Sequence, residues 1–360
     1  MPFLTPIFVY KCQKIPTFGQ LTNRLRTMSR FFGSHLRRKI SGATYIIIGV
    51  CFLFSAGVSM SVTSCSSGGS YPPVEIGRLD LALQADSLPG DVRLGDAAAV
   101  LFAVSGYGAL TDSSLHAYNR NPAIRIHDRA MDSLWSDLRP VEADLGRMMF
   151  NFTRLFPADR FPAVFAIVSP FNQSVFTADT LMFVGLNHYL GADYAPYAYF
   201  PDYLRVRKTP ARLLPDMAET LVRGLYPYRD ESDGYSIVLS RLLYEGAVVE
   251  TVMQLCGLSE QQVLGYDDEA MAWASDNEKR VWETMAERKM IFSTDPQLAA
   301  MLVSPAPFTS AINPNSPGAI GRFIGHRIVT SYLDRRATSL SELLSSDFYT
   351  SQNSLFESGY

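Results

Sequence analysis

Three carboxylates have the type and spacing to do chemistry. Asp216 and Glu219 stand three apart in Leu213-Leu214-Pro215-Asp216-Met217-Ala218-Glu219-Thr220, so a helix there puts both on one face. Glu245 lies in Leu242-Leu243-Tyr244-Glu245-Gly246-Ala247-Val248-Val249, beside an apolar stripe of Leu242, Val249 and Met253 that draws it toward the core. Converging carboxylates could hold a metal ion for hydrolysis. A plainer reading is electrostatic. If Pro215 opens its helix, Asp216 and Glu219 fall in the first turn, where negative charge complements the helix dipole by about 0.3–1 kcal/mol. Glu219 can then pair with Arg223, and Arg241 with Glu245, across one turn.

The histidines are scattered. His116, His127, His188 and His326 follow the leader, and none stands three or four residues from another. The strings His-Glu-x-x-His, Cys-x-x-Cys, Gly-x-x-x-x-Gly-Lys-Ser/Thr and Gly-x-Ser-x-Gly do not occur. No metal, nucleotide or other cofactor is therefore expected. Isolated histidines read as surface or hydrogen-bonded residues. The most distinctive stretch is 304–332, where Gly318, Gly321 and Gly325 fall three and four apart. Each glycine costs a helix nearly 1 kcal/mol against alanine. A helix that keeps three must gain close approach of another backbone. Arg322 sits beside that groove, within reach of a buried carboxylate.

The elements that must position these residues are mostly helical. Leu134, Leu138, Val141, Leu145, Met148, Phe152 and Leu155 trace one helical face, and Pro140 inside it predicts the start of a second helix. Further helical text covers roughly 215–224, 236–256, 268–290 and 318–334. Residues 163–168 and 180–186 are short apolar runs and predict two buried strands that pair in one sheet, joined by a polar turn near 172–178. The fold class is α+β: a mainly helical single domain with one small sheet.

Charge divides the chain. Of its 32 Lys and Arg, eight lie in residues 1–64, where no Asp or Glu occurs; the remaining 24 face all 35 acidic residues, a net of −11. An acidic body argues against a nucleic-acid partner. Four cysteines (Cys12, Cys51, Cys65, Cys256), at most two of them in the mature body, make no disulfide framework. Basic residues Arg30, Arg37, Arg38 and Lys39 precede the apolar Tyr45–Phe54, the order of a bacterial export signal. The segment ends in Val62-Thr63-Ser64-Cys65-Ser66-Ser67-Gly68, which resembles a lipobox with Cys65 as the lipid attachment site. Serines dilute the second half of the apolar run, against an uncleaved membrane helix, and the bulky Val50 argues against Cys51 as the anchor. The expected organisation is 1–64 export segment, 65–75 lipidated cysteine and tether, 76–345 globular domain and 346–360 tail. Met28 offers a second start that would leave 1–27 untranslated.

From about Arg78 to Tyr332 the chain resembles the GldB family of gliding-motility lipoproteins of the Bacteroidetes. The matching motifs, in order, are Ala178-Asp179-Thr180-Leu181, Gly185 to Gly191, Leu214-Pro215-Asp216-Met217-Ala218-Glu219, Tyr244-Glu245-Gly246, Ser293 to Pro296, Pro305-Ala306-Pro307-Phe308 and Gly318 to Tyr332. That family is in turn similar to predicted zinc peptidases with His-Glu-x-x-His on one helix and a later Glu-Gly helix. The resemblance puts the first ligand at Pro215, the general base at Asp216, and the other ligands at Glu219 and Glu245. Proline has no ligand atom, and the remaining set lacks the imidazoles zinc prefers. The implication is a zincin-like scaffold with a degenerate pocket of Pro215, Asp216, Glu219 and Glu245, neutralised by Arg322, and no catalytic residue. The implied function is a non-enzymatic, lipid-anchored, periplasm-facing envelope protein that meets the membrane through its anchor. Its implied partners are other envelope, motility or secretion proteins. The alternative is a metal-dependent hydrolase using Asp216, Glu219 and Glu245.

Overall fold

A computed structural model describes residues 71–85, 87–169, 173–229 and 236–360. The chain divides into two units, Met1–Ser67 and Gly68–Tyr360, and the described residues belong to the second. The export segment, Cys65 and the tether as far as residue 70 lie outside them.

The two apolar runs pair in one sheet, but not as a hairpin. β1 (Ile76–Arg78), β2 (Ala163–Ile167), β3 (Val175–Ala178) and β4 (Leu181–Gly185) take the order β1-β2-β4-β3. β2 runs parallel to both β1 and β4, with Phe165 opposite Phe183. Parallel neighbours need a connection of a dozen or more residues. Here residues 168–180 supply it, and part of what reads as a polar turn, 175–178, becomes β3, antiparallel to β4. Asp179 makes that tight turn at φ 55°, a left-handed conformation that Asp tolerates better than most residues. Residues 164–167 and 182–185 are buried without alternation, as strands covered on both faces must be.

Helices build the rest. α1 (Arg139–Leu155) carries Pro140 in its first turn and buries Leu145, Met148 and Phe152. A separate short helix, Asp128–Leu134, precedes it, as the proline predicts. α2 (Leu213–Leu225) begins two residues before Pro215, which still falls in the first turn, where its missing N–H is harmless. Glu219 is therefore beyond the first turn, where a dipole role had been expected. α3 (Ile237–Cys256) starts where the Ser236 hydroxyl accepts from the Leu239 N–H and stops at Gly257, φ 67°. It is buried on nearly every side, surrounded by α1, α2 and the later helices Pro296–Val303 and Ile320–Leu333. α4 (Glu260–Leu264), α5 (Asp268–Glu287), α6 (Pro296–Val303) and α7 (Ile320–Leu333) follow.

The glycines do bring backbones together, with one change of role. A Cβ on Gly325 would collide with the Leu242 carbonyl, and one on Gly246 with the Gly325 carbonyl. α3 and α7 thus cross main chain to main chain. Gly321 meets the Leu302 carbonyl of α6, 2.8 Å from where its Cβ would stand. Gly318 lies outside the helix, because Ala319 at φ 57° caps it; its missing side chain instead admits the Ala306 carbonyl.

Residues 346–360 are not a tail. They form a short helix, Ser346–Tyr349, and α8 (Gln352–Ser358), and Phe348, Tyr349 and Leu355 are buried. Short polar stretches conceal this, since each helix buries only one or two apolar side chains. Among the described residues no helix is long and apolar enough to cross a membrane.

Candidate functional site

α2 and α3 lie side by side and point carboxylates at one another. Glu219 on α2 is one turn before Arg223, whose Nε and Nη2 donate to Glu219 Oε1 at 2.9 and 2.8 Å. The same guanidinium reaches across to α3, donating to Glu245 Oε1 at 3.1 Å and Oε2 at 2.5 Å. From α7, Arg322 Nη2 donates to Glu219 Oε2 at 2.8 Å, and its Nε stands 3.4 Å from Glu245 Oε2, a charge contact without a hydrogen bond. Arg241 Nη2 adds a 3.2 Å bond to Glu245 Oε1. Two carboxylates therefore meet three guanidinium groups. Glu245 and Arg322 are 2% and 7% exposed. The Gly246–Gly325 crossing makes this possible, since it brings α7 close enough for Arg322 to reach both anions.

The charges settle one another. Burial pushes the Glu219 carboxyl up, but Arg322 and Arg223 outweigh it and hold it far below the usual range. Burial lowers Arg322 and Arg223, and Glu219 and Glu245 raise both above their ordinary values. The arrangement suits a fixed charge lattice. Every oxygen of Glu219 and Glu245 already accepts from, or touches, a guanidinium.

Of the four other residues singled out from sequence, Arg322 joins the pair and Asp216 does not. Asp216 Oδ1 accepts from Arg212 at 2.8 Å and Oδ2 from the Tyr189 hydroxyl at 3.1 Å. Arg212, one turn earlier on the same face, captures it before it can turn toward Glu219. Pro215 is buried in α2 and offers no polar atom. Cys65 lies outside the described residues. Among the described residues no group of three or more His, Cys, Asp or Glu side chains converges as a metal ion would need.

Asp216 faces a cavity of about 220 Å³, which Tyr189, Phe200, Leu204, Arg207 and Lys208 also line. Ser174 and His188 complete the wall. Burial, followed by the Asp216 charge, pushes the Tyr189 hydroxyl well up. His188 Nε2 lies 2.9 Å from Ser169 Oγ, which donates to the Gln173 carbonyl; His188 Nδ1 lies 3.2 Å from Lys208 Nζ. Those partners assign Nε2 as the protonated nitrogen and Nδ1 as acceptor. Sequence reasoning missed Arg207, Lys208 and Arg212. Their signal was there: four basic residues fall within Arg205–Arg212, immediately before Pro215 and Asp216.

A second buried charge group went unseen. His326 on α7 has Nδ1 2.5 Å from Glu260 Oε1 and Nε2 2.9 Å from Glu250 Oε2. Arg327 pairs with Glu260 at 2.9 Å and with Glu278 at 3.3 Å. Burial lowers the imidazole pKa, but the two carboxylates raise it above the ordinary value overall. No spacing rule could have found it, since its members come from four helices, α3, α4, α5 and α7.

What fold and site define is a mainly helical α+β domain whose internal carboxylates are held by arginines. Residues 96–360 match the family model of the gliding motility protein GldB, and the chain belongs to that family. No curated protein and no solved structure matches it.

Proposed function

We propose that this member of the GldB family is a non-catalytic lipoprotein of the cell envelope. Acylated Cys65 anchors it, its body faces the periplasm, and it supports gliding or the associated secretion machinery through contacts with other envelope proteins. The observation that carries the non-catalytic reading is the occupancy of Glu219 and Glu245 by Arg223, Arg322 and Arg241. A metal ion at these carboxylates would have to displace guanidinium groups that cannot be deprotonated. Pro215 supplies no ligand, and Asp216 is held by Arg212 and Tyr189. The likeness to a zinc-peptidase scaffold then describes a decayed site whose metal charge is replaced by arginine.

The test is the metal content of mature protein purified without chelators from zinc-supplemented medium. The reading expects far less than one zinc per chain, and the same value in Glu219→Gln. Stoichiometric zinc that Glu219→Gln abolishes overturns it in favour of a metal-dependent hydrolase.

A further inference from the structure

We propose that the cavity between the β4–α2 segment and the head of α2 is a binding site for a small aliphatic carboxylate, which Arg207 recognises. Arg207 lines the cavity, and its Nη1 donates to the Leu264 carbonyl at 3.0 Å. No carboxylate among the described residues stands within ion-pair distance of it. Burial, then its neighbours Arg212 and Arg322, lower the guanidinium to about 10 against the smaller opposing pull of Asp216 and Glu219, so it remains charged at neutral pH. Arg212 is committed to Asp216, and Arg322 to Glu219 and Glu245. A half-buried guanidinium without an ion-pair partner is costly, and Arg207 keeps N–H donors uncommitted to protein acceptors beside an open cavity. Lys208, whose Nζ lies 4.4 Å from the Phe200 ring centroid, adds positive potential to the same wall.

The rest of the lining selects the ligand. A guanidinium fork matches the two oxygens of a carboxylate. Asp216 lies on the opposite side of the charge balance and penalises a dianion more than a monoanion, so phosphate is disfavoured. Phe200 and Leu204 offer an apolar surface for a short hydrocarbon end. At about 30 Å³ per water, the volume corresponds to about seven waters, enough for a carboxylate with a few carbons.

The experiment follows the melting temperature of the full-length protein in detergent against sodium butyrate, with sodium chloride and inorganic phosphate at matched ionic strength. Butyrate should raise it saturably, chloride should not, and phosphate should bind several-fold more weakly. Arg207→Gln should weaken butyrate binding about tenfold or more, the loss of a charge-assisted bond. Leu204→Trp, which fills the cavity from its apolar wall and leaves the charges in place, should abolish binding. If Arg207→Gln does not fold, Leu204→Trp decides. No saturable response to butyrate, phosphate binding as tight as butyrate, or undiminished binding in Leu204→Trp or in a folded Arg207→Gln overturns the proposal.

Discussion

Arg223 and Arg322 each touch both Glu219 and Glu245, so neither carboxylate depends on a single cation. Removing Arg322 nevertheless strips Glu219 Oε2 of its only donor and takes a cation from beside Glu245 in the interior. Arg322→Ala should cost about 3–5 kcal/mol, the penalty for breaking a buried pair from one side. Adding Glu219→Gln to Arg322→Ala should recover part of that loss. Urea unfolding of the two variants checks both statements, and wild-type stability in Arg322→Ala would refute the structural role. Acid adds an independent signature. The folded pKa of Glu219 lies below its ordinary value of 4.5, so its contribution is complete above that value and is lost as pH falls toward the depressed folded pKa. Glu219→Gln should flatten this acid limb. The pairs Glu219–Arg223 and Arg241–Glu245 were legible in sequence because four-residue spacing on a helix is a local rule. The second reach of Arg223, to Glu245, was not, because it depends on how α2 sits against α3. Asp216 misled because Arg212, which captures it, stands one turn upstream at the N-terminal boundary of the helix.

Helix crossings were legible through their glycines and little else. Three glycines at helical spacing announced a backbone contact, and α7 makes it against α3 and α6. Gly325→Ala should therefore destabilise by about 1–3 kcal/mol or more, since rigid carbonyls, not flexible side chains, meet the added methyl. Gly95 in the helix Val92–Val104 is the control: its Cβ would meet only the Pro89 carbonyl, at 3.6 Å. Gly95→Ala should gain up to about 1 kcal/mol. Thermal melts of the pair separate backbone contact from helix propensity. A second helix-level prediction concerns His326, which joins α7 to Glu250 of α3 and Glu260 of α4, with Arg327 and Glu278 beyond them. Its folded pKa is raised above 6.5. The stabilisation it gives is complete below 6.5 and fades as pH rises through the folded value. His326→Gln should remove that alkaline fade, which unfolding between pH 6 and 9 would reveal. Strand placement was legible for the two apolar runs, whereas their parallel pairing was not. Apolarity marks burial without direction, and β3 hides among polar residues.

At the scale of the molecule, the ends carry the tests. The N-terminal anchor is a proposal about Cys65: Cys65→Ala should abolish incorporation of labelled fatty acid, and normal labelling would move the anchor elsewhere. The C-terminal end is where composition misled most, because Ser346 to Tyr360 is rich in Ser, polar and short on apolar residues. Yet the segment packs at several points. The Tyr349 hydroxyl accepts from the Arg229 N–H at 3.0 Å, and its ring lies 5.2 Å from Tyr228 and 5.4 Å from Tyr244, the neighbour of Glu245. Ser331 on α7 donates to the Ser358 carbonyl at 2.8 Å, and the Tyr360 hydroxyl donates to Glu278 at 3.0 Å. Phe348, Tyr349 and Leu355 are buried, and each contributes about 1.5–3 kcal/mol by area. Together that is roughly 5–9 kcal/mol, comparable with the whole stability of an ordinary domain at about 5–15 kcal/mol. A chain ended after Ser345 should therefore lose its cooperative thermal transition, or melt far below the full-length protein. It should also expose the Tyr228–Tyr244 face of the site to solvent. Tyr349→Ala alone should cost about 3–5 kcal/mol, near the range for deleting a buried aromatic ring. Calorimetry of the two proteins decides the matter: a truncated chain that melts with the full-length protein would make residues 346–360 a dispensable tail after all.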